Sequence, residues 1–164
     1  MLKQLIKQKY CLICQGCCRF QDSNSVWAPR LFNLERKKLS LSQKIVKPIK
    51  YKDFFICPYF LIDKNTCKIY RRRPFDCQLY PFLLNKNKNK IFLAIDSKCP
   101  FIGENKNSQE FKKYIKYLIR ILESKKFIKK ICKNLEFINT YPQDAIEIRE
   151  LKKLSCIFNE SRPS

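Results

Sequence analysis

Eight cysteines in the first two-thirds of the chain constrain its fold more than any other feature. The first four are Cys11, Cys14, Cys17 and Cys18, which form the pattern C-x-x-C-x-x-C-C. The repeated two-residue spacing lets one segment of backbone wrap around a metal cluster. Four more follow at wider intervals, at Cys57, Cys67, Cys77 and Cys99. Eight thiols are enough for two four-sulfur sites.

The absence of histidine narrows the chemistry of these cysteines. The 164-residue chain has ten cysteines and no histidine, which excludes every mixed Cys/His zinc site and every histidine-based acid-base mechanism. Ligation by sulfur alone selects zinc or iron-sulfur over magnesium, calcium or manganese. We therefore predict an iron-sulfur cluster of the 4Fe-4S type, or zinc. The predicted ligands are Cys11, Cys14, Cys17, Cys18, Cys57, Cys67, Cys77 and Cys99.

Local features of the cysteine-rich segment lead to two more expectations. Gly16 lies inside the first motif, where a positive φ and a close approach to sulfur would be useful. Neighbouring side chains diverge along a backbone, so Cys17 and Cys18 are not expected to share one metal, and one of them is left for a second site. Cys132 is expected in the core as a small apolar residue. Cys156 has no partner at ligand spacing.

The N-terminal sequence MLKQLIKQKY has no apolar stretch of the signal-peptide kind. No run approaches the 18 apolar residues of a membrane span. We expect a cytoplasmic protein without a membrane partner, whose reduced cysteines bind metal instead of forming disulfides.

The formal net charge is +21, from 35 Lys and Arg against 14 Asp and Glu. Such a charge favours nucleic acid as a partner, and the segments 50–52 and 113–117 interleave lysine with tyrosine. However, the abundance of Asn, Ile, Phe and Tyr is typical of AT-rich coding, which raises lysine everywhere. Locally, nearby cations would stabilise thiolate ligands. The candidates are Arg19, Lys68, Arg71, Arg72, Arg73 and Lys98.

The expected metal centre implies a small α+β fold, with short strands and loops around the cysteines and a helical C-terminal segment. The placement of the cysteines predicts a metal-binding domain over residues 1–105 and a helical extension over residues 106–164 that packs on the same domain. Two apolar segments, 82–84 and 91–95, predict a β-hairpin around an Asn-Lys turn. The spacing of Phe111, Ile115, Leu118 and Leu122 predicts one long helix that continues to Leu135. A second helix is predicted from Pro142 to Leu154.

Four segments together resemble the CxxCxxCC zinc- or iron-chelating family, also called the YkgJ-type cysteine cluster family. They are residues 11–18, residues 57–61 with 67–70, the Arg-Pro-x-x-Cys-x-x-Tyr-Pro segment 73–82, and residues 99–103. The chain departs from the family pattern in placing its glycine at Gly16, one residue later than usual. It also has Gln78 after the Arg-Pro cysteine, where arginine is common, and Phe101 after Pro100, where glycine is usual.

The resemblance implies metal chelation, and it leaves open whether the chain is an enzyme. One branch of the family is similar to flagellin lysine N-methylase, so an S-adenosylmethionine-dependent protein lysine N-methylase is one alternative function. No glycine-rich nucleotide loop follows a strand in this sequence. A basic nucleic-acid-binding module is the second alternative. A protein partner or substrate is compatible with each of these functions.

Overall fold

The computed structural model of the protein describes residues 2–6, 8–14, 16–142 and 144–160. These residues form an α+β fold, as predicted, with short helices and small antiparallel sheets. The chain divides into two compact units, Met1–Tyr80 and Pro81–Ser164. The end of the metal-binding domain at residue 105 stays a prediction.

The first unit consists of short elements joined by turns. In chain order they are α1 (Gln8–Ile13), β1 (Arg19–Phe20), α2 (Asn33–Lys38), β2 (Ile49–Tyr51), β3 (Phe54–Ile56), β4 (Phe60–Leu61), β5 (Thr66–Cys67), a 3-10 helix (Tyr70–Arg72) and α3 (Phe75–Leu79). Strands β1, β3 and β2 form one antiparallel sheet in that order, and β4 pairs with β5. Lys52 and Asn65 have positive φ, 51° and 47°, in the two hairpin turns.

The apolar core of the first unit is small. Its buried cluster contains Phe20, Ala28, Leu31, Val46 and Cys57, so a cysteine is part of the core. Among the described residues, ten apolar side chains are buried in the first unit and twenty in the second, counting cysteine. The two units have nearly equal length. The first unit therefore has about half as much apolar burial to stabilise it.

The second unit is built on a three-stranded antiparallel sheet. Its elements are β6 (Phe82–Asn87), β7 (Lys90–Asp96), α4 (Pro100–Asn105), α5 (Gln109–Leu122), α6 (Lys125–Cys132), a 3-10 helix (Leu135–Phe137), β8 (Ala145–Glu150) and α7 (Lys152–Glu160). The sheet order is β6-β7-β8. The predicted hairpin is confirmed, and its strands extend into the Asn-Lys run until Asn87 pairs with Lys90. Lys88 makes the tight turn with a φ of 52°.

The prediction of one long helix from Ser108 to Leu135 is wrong. The chain forms α5 and α6, separated at Ser124, whose hydroxyl accepts a hydrogen bond from the Phe127 N–H at 3.3 Å. A serine that caps a new helix satisfies an N–H that has no partner within that helix, which favours a break at this position. Cys132 is exposed and not in the core, because it lies one residue, or about 100° around the helix, from the buried Ile131.

The predicted helix from Pro142 to Leu154 is also wrong. Residues Ala145–Glu150 form β8, which pairs with β7, and α7 begins only at Lys152. The segment Ile146-Glu147-Ile148-Arg149 alternates apolar with polar residues, as a strand exposed on one face does. In the described part of the chain, no helix is long and apolar enough to span a membrane.

Candidate metal centre

Seven of the eight predicted ligands lie in the first unit. Cys11 is in α1, Cys14 follows its last residue, Cys17 and Cys18 form the turn before β1, Cys57 follows β3, Cys67 ends β5, and Cys77 is in α3. Cys99 belongs to the second unit, where it is buried and caps α4. The first unit therefore contributes cysteines from four separate segments of chain.

Backbone pairing brings three of these segments together. The N–H of Cys57 donates to the carbonyl of Cys18 at 3.0 Å, which extends the pairing of β1 with β3 up to both cysteines. The N–H of Lys68 donates to the carbonyl of Tyr59 at 2.8 Å, and Cys67 lies opposite Phe60 in the β4-β5 pair. The segments at Cys18, Cys57 and Cys67 are thus neighbours through main-chain hydrogen bonds.

The thiol of Cys17 interacts electrostatically with five other thiols, those of Cys11, Cys18, Cys57, Cys67 and Cys77. Burial raises the pKa of Cys11, Cys57, Cys67 and Cys77, and the nearby Cys17 thiol raises each of these pKa values further. For Cys57 the pKa reaches about 11. Cys77 is partly exposed as a residue, but its sulfur faces the interior, so burial is the main cause of its raised pKa. Cysteines far apart in sequence therefore interact electrostatically with the same thiol.

The thiols of Cys17 and Cys18 interact with each other, although the two side chains were expected to diverge. A hydrogen bond between the two thiols is the largest cause of the raised pKa of Cys18, and burial adds to it. The two cysteines are the central residues of a turn from Gly16 to Arg19. A 3.0 Å hydrogen bond from the Arg19 N–H to the Gly16 carbonyl closes this turn. That Cys17 and Cys18 do not share one metal stays a prediction.

Three of the thiols accept a hydrogen bond from the backbone N–H two residues later. The Gly16 N–H lies 3.4 Å from the Cys14 sulfur, and the N–H groups of Tyr59 and Ile69 donate to Cys57 and Cys67. Hydrogen bonds of this kind favour the thiolate form and tune metal-sulfur centres. In Cys57 and Cys67 they lower the pKa, against the larger effect of burial.

Gly16 makes the close approach to sulfur that was expected, but without a positive φ, which no described glycine has. A Cβ at this position would lie 3.5 Å from the Cys14 sulfur, an ordinary van der Waals contact. The glycine is therefore not required by backbone strain.

Of the six cations expected near the thiolates, Arg73 acts electrostatically on two of the thiols. Against the larger effect of burial, its positive charge lowers the pKa of Cys11 and of Cys67. Arg71 and Arg72 are exposed. Lys98 forms an ion pair with Asp144 in the second unit, with 2.7 Å between Nζ and Oδ2.

Two carboxylates that support the Cys77 helix were missed by sequence reasoning. Glu35 accepts the Phe75 N–H at 2.7 Å and the Phe32 N–H at 3.0 Å, so it joins the starts of α2 and α3. Asp76 accepts the Arg30 N–H at 2.8 Å, and burial of its carboxyl group raises its pKa to about 6. The sequence offered one signal for Asp76, which is its position directly before the predicted ligand Cys77. It offered none for Glu35, whose partner Phe75 is 40 residues away.

The donor set fits a thiophilic metal. Sulfur ligands with N–H donors and an arginine around them suit the negative charge of a thiolate centre. Within the described residues, no group of three or more Cys, Asp or Glu side chains stands ready to hold a metal ion. The ligand set from the sequence thus stays a prediction.

Comparison with family models gives one match. The model described as "CxxCxxCC: Putative zinc- or iron-chelating domain" matches residues 10–161. This chain belongs to the CxxCxxCC family. The resemblance seen in the sequence is thereby confirmed, and the CxxCxxCC match extends through both compact units. The CxxCxxCC family description names zinc or iron as the metal. No curated protein and no solved structure matches the chain.

Proposed function

We propose that this CxxCxxCC protein holds an iron-sulfur cluster through thiolates of its first unit, in a structural or redox role in the reducing cytoplasm. Zinc is the alternative occupant. The observation that carries the proposal is that thiols from four chain segments interact electrostatically with Cys17. Cys99 lies in the second unit, and its place among the ligands stays a prediction.

A metal ion resolves an electrostatic conflict in this group of thiols. Burial and mutual repulsion oppose ionisation of Cys11, Cys18, Cys57, Cys67 and Cys77. A cation that binds their sulfurs displaces the protons and compensates the negative charge. Without a cation, few of these thiols ionise at neutral pH, because each thiolate raises the free energy needed to ionise a neighbouring thiol.

The size of the core supports a stabilising role. The first unit buries ten apolar side chains among its described residues, half as many as the second. Small units with few apolar contacts commonly depend on a metal or disulfides. A structural zinc site contributes on the order of 10–16 kcal/mol, which is comparable with the 5–15 kcal/mol stability of a whole domain. All ten cysteines are free thiols, so a bound metal, and not a disulfide, would cross-link the chain segments.

The spacing of the first motif favours iron-sulfur over zinc. Three cysteines in C-x-x-C-x-x-C resemble the runs that wrap iron-sulfur clusters, whereas zinc sites more often use separate C-x-x-C pairs. A bound cluster would supply one-electron transfer or a structural link between the segments. The cysteine thiolates would hold it, and the backbone N–H groups of Gly16, Tyr59 and Ile69 would donate hydrogen bonds to its sulfur ligands.

Metal analysis tests the proposal directly. Protein purified without oxygen is assayed for iron, acid-labile sulfide and zinc in the same sample. Iron and sulfide in equal amounts, with broad visible absorption, are the expected result. A colourless protein with stoichiometric zinc would establish the alternative occupant. A folded protein that contains none of these metals would overturn both.

A matched pair of cysteine variants tests the location of the centre. Cys77→Ser should lower the metal content and destabilise the first unit, because Cys77 interacts with Cys17, Cys57 and Cys67. Cys132→Ser is the control, because Cys132 is exposed in the second unit. Equal metal content in the two variants would place the centre elsewhere in the chain.

The two alternative functions stay predictions from the sequence. Some residues of the lysine-tyrosine segments that motivated nucleic-acid binding contact other side chains of the protein, whereas Lys113 and Lys116 are exposed. Tyr114 is buried against Phe82, with 5.4 Å between ring centroids. Lys50 and Lys52 lie over the rings of Phe55 and Tyr51, at 5.2 and 5.7 Å.

A further inference from the structure

Helices α5 and α6 carry the same basic pattern. The segment 112–120 has cations at its first, second, fifth and ninth positions, and so does the segment 125–133. At about 100° per residue, these four positions fall within an arc of about 100° on one side of a helix. We call the two groups of four the α5 and α6 basic faces. Their eight residues are all exposed: Lys112, Lys113, Lys116, Arg120, Lys125, Lys126, Lys129 and Lys133.

The opposite side of each helix is buried in the second unit. In α5 the buried side chains include Phe111, Tyr114 and Leu118, and in α6 they are Phe127 and Ile131. The apolar side of each helix is thus already covered by the protein. The two basic faces lie on the solvent side.

Positive charge in the second unit is concentrated in these two helices. Residues 109–133 contain nine of the eighteen Lys and Arg of the unit, but only two of its nine acidic residues. Those two, Glu110 and Glu123, lie in the first turn and at the C-cap of α5. AT-rich coding would raise lysine throughout the unit, so it does not account for this concentration.

The cations of the two faces repel one another without compensation inside the protein. Lys112, Lys116 and Arg120 follow at steps of four residues, and the α6 basic face repeats this spacing. Like charges four residues apart destabilise a helix. Lys125 and Lys126 also occupy the first turn of α6, where the helix dipole disfavours cations. Within the described ranges, none of the eight side chains forms an ion pair. An external polyanion would remove this repulsion.

The chemistry of the two faces selects the class of polyanion. A helix that binds a membrane surface inserts apolar side chains, but the large apolar residues that are exposed in the described chain lie outside α5 and α6. The aromatic residues of both helices are buried or half-buried, so they offer no exposed ring for stacking single-stranded bases. Lysine and arginine side chains donate hydrogen bonds and accept none, which matches the acceptor oxygens of phosphates.

The groove of the duplex distinguishes DNA from RNA. The major groove of B-form DNA is about 12 Å wide and admits an α-helix between two rows of phosphates. The major groove of an RNA duplex is deep and narrow. A helix with a cationic exposed side therefore fits duplex DNA better.

We propose that the α5 and α6 basic faces form a binding surface for the phosphates of double-stranded DNA, without preference for base sequence. The proposal goes beyond the metal centre and does not depend on it, because all eight cations lie in the second unit. Each neutralised phosphate contributes about −0.9 to the slope of log affinity against log salt concentration, so eight contacts would give a slope of about −7.

The test measures binding of the full chain to a fluorescent DNA duplex of arbitrary sequence by anisotropy, at several KCl concentrations from about 50 mM upward. Each of two triple variants should make the slope shallower by about 3 and weaken binding at least about tenfold at 100 mM KCl or so. The α5 variant is Lys112→Gln with Lys116→Gln and Arg120→Gln. The α6 variant is Lys125→Gln with Lys129→Gln and Lys133→Gln.

A third triple variant is the matched control. Lys37→Gln with Lys38→Gln and Lys47→Gln removes the same charge from exposed positions of the first unit, and it should keep the wild-type slope. The α5 and α6 variants should unfold at or above the wild-type temperature, because they remove like-charge pairs. A structural role of these cations would instead lower the unfolding temperature.

Several outcomes would overturn the proposal. Wild type that does not bind the DNA duplex at the lowest salt concentration would refute it, and so would equal losses in all three variants, since general charge would then be the cause. A variant that keeps the wild-type slope would exclude its helix from the surface. Tighter binding to single-stranded DNA, to an RNA duplex or to vesicles of phosphatidylserine and phosphatidylcholine would refute DNA as the partner. Protein without metal that still binds DNA as expected would refute the proposed function alone.

Discussion

Replacing Glu35 tests how the helix that carries Cys77 is held. One carboxylate accepts the backbone N–H groups of Phe32 and Phe75, at 3.0 and 2.7 Å, and thereby joins residues 40 positions apart. The rings of Phe32 and Phe75 lie 5.6 Å apart at the same place. Glu35→Ala leaves both N–H groups without this acceptor, so we expect the first unit to be destabilised.

The expected loss follows from the two hydrogen bonds. Hydrogen bonds to a charged group contribute about 1.5–3 kcal/mol each. Glu35 is only half-buried, and water replaces part of the interaction, so we expect the lower end of the range, about 3 kcal/mol in total. For a unit of this size, one kcal/mol shifts the midpoint of thermal unfolding by about 4–8 °C. The midpoint should therefore fall by roughly 12–24 °C.

The only tryptophan of the chain provides the assay. Trp27 lies in the first unit against its apolar cluster, so its fluorescence reports the unfolding of that unit. Asp63→Ala is the control, because Asp63 is an exposed acid in the same unit. Glu35→Gln keeps one acceptor oxygen and should lose about half as much stability. If the midpoint of Glu35→Ala lies within 2 °C or so of the Asp63→Ala midpoint, the carboxylate does not link the helices energetically.

Two further substitutions separate the backbone from the charges. Asp76→Asn keeps an acceptor for the Arg30 N–H. Burial raises the pKa of Asp76 to about 6, so the buried carboxylate destabilises the folded wild-type protein fully above that pH and less below it. The variant should gain up to about 3 kcal/mol over wild type at pH 7.5 and less at pH 5 by urea unfolding; an equal difference at both values would contradict this. Gly16→Ala should keep wild-type metal affinity by chelator competition, because the added Cβ has room and the N–H to the Cys14 sulfur remains. Gly16→Pro removes that N–H and should lower the affinity, and equal affinities would show that the hydrogen bond is unimportant.

The prediction of a thiolate metal centre could be made from the sequence because it depends on residue types and short spacings. Ten cysteines without a histidine favour a metal bound by sulfur, whatever the fold. The hairpin at residues 82–96 was also predictable, since its apolar runs and polar turn are local signals. The family followed from motifs of the same local kind.

Contacts between distant residues could not be predicted in this way. The segment Ala145–Glu150 became a strand because β7 offered an edge for pairing, which outweighed the helical interpretation of its apolar residues. The interaction between the Cys17 and Cys18 thiols depends on the turn that contains them, and the residue types of this turn do not specify it. Glu35 acts on a helix 40 residues away, and only the folded chain brings the two together.

The choice among the cations shows the same division. Sequence spacing placed six basic residues near cysteines, and among them Arg73 lies over the Tyr70 ring while its charge acts on the Cys11 and Cys67 thiols. Residue type determined that thiolates and cations would be available. Tertiary structure decided which of them meet, because electrostatic and hydrogen-bonding energies depend on distances that chain spacing does not specify.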